Sequence, residues 1–125
     1  MSLDSEIFNG KTLADMFADV YKNTDSKRQQ INQFINSYLK LVRTVEDAAV
    51  LGPVIQSFLS TNVKNDEHIV RLVQIAQRLT TASGSDDDNS LLTEEEKQQL
   101  LKNVKMDFEA VLAEQDEIQE KLENS

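Results

Sequence analysis

Cysteine is absent from this chain, so no disulfide, thiolate metal site or cysteine nucleophile is available to it. One proline and three glycines in 125 residues are too few for the repeated tight turns of a β-sandwich or barrel. A single histidine, His68, makes neither an ordinary zinc site nor a Ser/His/Asp constellation, and is expected to cap a helix or face solvent. No apolar run approaches bilayer-spanning length, and the opening MSLDSEIFNG lacks the basic and apolar regions of a secretion signal, so a cytoplasmic protein without membrane contact is expected. The 39% hydrophobic and 28% charged residues that are present suit one soluble, all-α globular unit.

Charge is unevenly placed. Residues 1–82 carry nine acids and nine bases, whereas residues 83–125 carry thirteen acids against four lysines, so the whole net charge of −9 lies in the last third. Such a segment repels polyanions and fits basic protein surfaces.

Apolar spacing of three and four predicts about five helices. Leu13, Met16, Phe17, Val20 and Tyr21 mark the first, opened by Thr12 as N-cap with Asp15 reaching back, and Asn23-Thr24-Asp25 is expected to end it. Ile31, Phe34, Ile35, Tyr38, Leu39, Leu41 and Val42 mark a second, over about 26–43. Thr44 with Asp47 repeats the cap signature after a tight corner and starts a third, kinked at Gly52-Pro53 because Pro53 cannot donate to the preceding turn. A turn at VKND, with Asn65 or Asp66 as cap, is expected before a fourth helix whose face is Ile69, Leu72, Val73, Ala76 and Leu79. Residues 83–90, SGSDDDNS, read as an acidic linker, and Thr93 with Glu96 as a capping box opening a fifth helix. The organisation expected is therefore a 1–82 bundle, an 83–90 linker and an acidic helix over 91–125.

That last helix carries a seam: Leu101, Val104, Phe108, Val111, Gln115, Ile118 and Leu122 alternate steps of three and four, a heptad pattern that suits a coiled coil. A buried Gln115 would select register or oligomeric state; alternatively the helix packs on its own bundle with Gln115 near an exposed end. The seam is the candidate partner-binding surface, supplying apolar contact while flanking acids steer a basic protein partner.

Three motifs invite chemistry and fail on spacing. Asn9-Gly10-Lys11-Thr12 ends like a phosphate-binding loop, yet Ser5 stands where the first glycine belongs, so an Asn-Gly turn feeding the Thr12 cap is expected. Setting Ser85 first in an EF-hand-like loop puts Ser90 at the position that requires glycine. The numerous paired carboxylates fall on exposed helix faces, a poor setting for acid–base work. No catalytic, cofactor-binding or metal-binding residue is assigned, and a non-enzymatic protein is expected. Lys22, Lys27, Arg28, Lys40, Arg43, Arg71 and Arg78 are diluted by acids, so nucleic acid is expected only where an oligomer repeats a small basic patch.

The central segment QQINQFINSYLKLV, a tight corner and VEDAAVLGPVIQSFLSTNVKNDEHIVRLVQIAQRL, spanning residues 29–79, resembles the long helical hairpin of small terminase subunits of tailed bacteriophages. That resemblance implies a hairpin that oligomerises into a ring in the host cytoplasm, an N-terminal region that contacts viral DNA and a C-terminal segment that docks on the large packaging motor. The broader expectation is a non-enzymatic helical interaction and oligomerisation protein that forms a homo-oligomer and docks a protein partner with a basic surface; an acidic mimic of DNA is a third class.

Overall fold

The computed structural model describes residues 6–8, 10–83 and 93–125. Among these the fold is all-α with three helices, α1 Leu13–Leu41, α2 Val45–Ser83 and α3 Glu94–Glu123, preceded by a minimal antiparallel ribbon of β1 Glu6–Phe8 and β2 Lys11–Thr12. Gly10 turns the ribbon at φ +74°, a conformation that favours glycine. The expected linker falls outside the described residues except for Ser83, which closes α2.

Three helices replace the five expected because the polar segments taken as breaks lie inside continuous helices. Thr24, in the first supposed break, donates its hydroxyl to Val20 O at 2.8 Å, and Asp25 accepts from Gln29 one turn on at 3.1 Å. Thr61, just before the second, donates to Ser57 O at 2.9 Å, and Asn65 reaches across to Thr24 O at 2.8 Å. A polar residue whose side chain is satisfied this way no longer competes for the backbone. α2 also runs through Pro53. The missing donor and ring clash cost about 3 kcal/mol, which the burial of α2's inner face offsets.

The starts of the helices follow the sequence closely. Asp15 N donates to Thr12 Oγ1 at 3.2 Å and Thr12 N to Asp15 Oδ2 at 3.0 Å, a complete capping box. Thr44 and Asp47 repeat both bonds, at 3.1 and 3.3 Å, after a corner of three residues. At α3 Thr93 Oγ1 accepts from Glu96 N at 3.2 Å.

The helices run up, down and up. One apolar cluster joins Leu13, Met16 and Val20 of α1 to Leu72, Ile75 and Leu79 of α2 and Val104, Phe108 and Val111 of α3, with Phe17 edge-on to Phe108 at 5.4 Å. A second joins Ile31, Ile35 and Phe58 to Ile118 and Leu122, with Phe34 stacked on Phe58 at 5.1 Å. Both clusters draw on all three helices, so α3 packs into the same core as α1 and α2. Beyond Leu122 the end of α1 and the start of α2 continue without α3, which leaves Leu39, Leu41, Val45 and Val50 exposed at the corner.

Gly52 sits within α2, and a Cβ added there meets nothing within 4 Å. Its next neighbour is Pro53, whose ring crowds a Cβ on the preceding residue of a helix, so Gly52→Ala should gain nothing by itself but about 0.5–1 kcal/mol in a Pro53→Ala background, read as the midpoint of thermal melts followed by circular dichroism.

Candidate interaction site

The seam of α3 is where the sequence placed partner contact, and the chain itself occupies it. Val104, Phe108, Val111, Gln115, Ile118 and Leu122 are buried and Leu101 is half-buried, all against α1 and α2. Side chains enclosed this way offer no surface to another protein, so the assignment of partner binding to these residues gives way to core packing. The physical reason is that α1 and α2 present a groove whose apolar rows match the seam.

Between the two apolar clusters lies a polar layer. Gln115, 1% exposed, donates to Val20 O at 3.2 Å and Thr24 Oγ1 at 3.1 Å, and accepts from Asn23 Nδ2 at 3.3 Å. Asn65 ties α2 to the same turn of α1 through Thr24 O. His68 is 2% exposed rather than capping or solvent-facing, with Nε2 at 2.9 Å from Glu114 Oε2. A carboxylate only accepts, so Nε2 carries the proton; Nδ1 and Asn65 Oδ1 have no hydrogen-bond partner among the described residues. Each such buried atom costs about 1–3 kcal/mol. Lys27 is buried in the same region, and burial holds its ammonium below the ordinary lysine value while Asp116 opposes the shift.

With the seam enclosed, the acids of α3 form the outward side of that helix. No base falls between Lys105 and Lys121, while six acids do. Asp107 is bound by Arg71 and Arg78, Glu114 meets His68, and Asp116 lies near Lys27. Glu109, Glu117 and Glu120 are exposed with no ion pair among the described residues, and Met106, 57% exposed, and Ala113 share their face.

The basic residues do not gather into one face. Of the seven that the sequence singles out, Lys27 is buried, Arg28 pairs with Asp66 at 2.9 Å and Arg71 and Arg78 with Asp107, which leaves Lys22, Lys40 and Arg43 exposed without an ion pair among the described residues. Among the described residues no group of three or more His, Asp or Glu is placed to hold a metal ion, and no helix is long and apolar enough to cross a membrane. The acidic tract read against an EF-hand lies mostly outside the described residues. Searches against family models, curated proteins and solved structures return no match to this chain.

Sequence reading offered a buried Gln115 as one alternative but missed its polar partners on α1 and α2, although a signal for them exists. Thr24 and Lys27 fall in step with Val20 and Ile31, and Thr61, Asn65 and His68 continue the steps of three and four from Phe58 to Leu72.

Two outcomes test the layer. Gln115→Ala should cost about 2–4 kcal/mol from lost hydrogen bonds and cavity, and a double-mutant cycle with Thr24→Val should show coupling of about 1 kcal/mol by urea denaturation. Because the folded value of Lys27 lies below the unfolded 10.5, the unfolded chain binds more protons between the two values. Wild-type stability should therefore rise relative to Lys27→Met as pH climbs through that alkaline window, measured by melts at successive pH values.

Proposed function

We propose that this chain is a non-enzymatic helical interaction and oligomerisation protein that docks a protein partner with a basic surface on the outward face of α3. The observation that carries the proposal is the set Glu109, Glu117 and Glu120, exposed and without an ion pair among the described residues, beside Met106 and Ala113. Uncompensated charge on a packed helix steers association and sets specificity, and the small apolar strip between the acids supplies contact area. A cytoplasmic setting accords with the cysteine-free composition.

A second reading, a subunit like the phage small terminases, gains support from one observation. α1 and α2 form a long hairpin unbroken at 23–25 and at Pro53, joined by three residues, as that resemblance requires. In that reading α3 faces the packaging motor.

Replacing Glu109, Glu117 and Glu120 together by Lys tests the first reading, since exposed positions leave helicity unchanged. Tagged wild type should co-purify a basic protein from the native source in a salt-sensitive way, and the charge-reversed variant should lose it. Equal capture by both would exclude this face, and a salt-dependent DNA mobility shift by wild type would favour the terminase-like reading.

A further inference from the structure

α2 is apolar on two opposite sides. Its inner row, from Phe58 through Leu72 to Leu79, faces α1 and α3. On the far side, exposed positions step by four and three from Leu59 to Val63, Asp66, Val70 and Val73, and the three valines and the leucine are each half or more exposed, Val63 at 60%. The same stepping runs back through Gln56, Gly52 and Ala49 to Val45. Heptad stepping over more than four repeats is the pattern of a helix paired along its length with another helix. A helix apolar all round is normally covered on both sides.

We infer that this outer stripe is the interface of a symmetric dimer, in which α2 of one copy lies antiparallel on α2 of a second copy of this chain. The inference rests on the oligomerisation part of the function proposed above and names its surface. A second copy fits because the stripe complements itself about a two-fold axis between Leu59 and Val63. Leu59 then meets Val63 of the second copy, while Gly52 and Ala49 receive Val70 and Val73, small side chains opposite larger ones. Asp66, already bound by Arg28 at 2.9 Å, meets the Gln56 amide. A parallel, in-register pair would instead set two Asp66 carboxylates against each other in an apolar seam, which is unfavourable.

The area suffices. Val45 to Gln77 is about 48 Å of helix at 1.5 Å per residue, and a contact about 12 Å wide gives roughly 1,150 Å² over both partners, above the ~1,000 Å² of a biological interface.

Sedimentation equilibrium of the full chain at about 100 μM, well above the micromolar range of a weak interface of this size, should give twice 14.2 kDa. Val63→Glu should return the monomer mass with unchanged helicity, and Val70→Lys repeats the test on the same stripe should Val63→Glu lose helicity. Because the chain has no cysteine, introduced thiols report geometry directly. Leu59→Cys combined with Val63→Cys should oxidise to a covalent dimer, whereas Asp66→Cys alone should not. A monomeric wild type, an oligomer insensitive to both stripe variants, or ready cross-linking through Asp66→Cys would each overturn the dimer. Partner capture by α3 is read separately, since the Glu→Lys variants leave the mass unchanged.

Discussion

The carboxamide of Gln115 has to be satisfied in the middle of a bundle, and the arrangement of the helices depends on that. Its donors and acceptor reach Val20 O, Thr24 Oγ1 and Asn23 Nδ2 only when α3 sits at one height on α1. Sliding α3 by a heptad would keep its apolar side chains in contact with an apolar groove but move Gln115 into an apolar cluster. Each buried polar atom stranded there costs about 1–3 kcal/mol, a substantial part of the net stability of a domain this size. Apolar rows bring the three helices together without specifying height; the polar layer supplies the missing information. Asn65 extends the same constraint to α2 through Thr24 O.

Caps and periodicity were legible in the sequence because both are local. Thr12, Thr44 and Thr93, each with an acid three residues on, stand at the three helix starts, and the seam from Val104 to Leu122 is the buried side of α3. The polar residues inside α1 and α2 were not read correctly, because Thr24, Asn65 and His68 favour caps and turns when judged by identity alone. What decides their conformation is a partner on another helix, and sequence spacing shows only that they keep phase with Val20 and Ile31 or with Phe58 and Leu72. Phase was the better guide than residue type. The helix count fell from five to three for that reason.

The direction of the seam was the other point that periodicity left open. A heptad row matches a groove on the same chain or on another equally well, so its pattern does not discriminate. Connectivity does. Residues 84–93 join the end of α2 to the start of α3, and so short a covalent connection holds the two at an effective concentration in the millimolar range. Docking on the chain's own hairpin therefore outcompetes an equivalent contact between chains at ordinary concentrations. The acids that the sequence placed beside a partner-binding seam end up on the outside of α3 instead, with only some of them neutralised from within.

This rearrangement separates the two outward surfaces rather than merging them. Arg71 and Arg78 stand on the side of α2 towards α3 and are drawn onto Asp107, so the edge between these helices is closed by internal ion pairs. The exposed glutamates of α3 lie on one side of that edge and the apolar stripe of α2 on the other. Exposed ion pairs of this kind add little stability. Their consequence here is geometric: the arginines are kept from neutralising Glu109, Glu117 and Glu120, and their charge is kept off the stripe. A helix pairing on α2 and a basic protein docking on α3 would accordingly approach from different directions, and neither would have to displace the other.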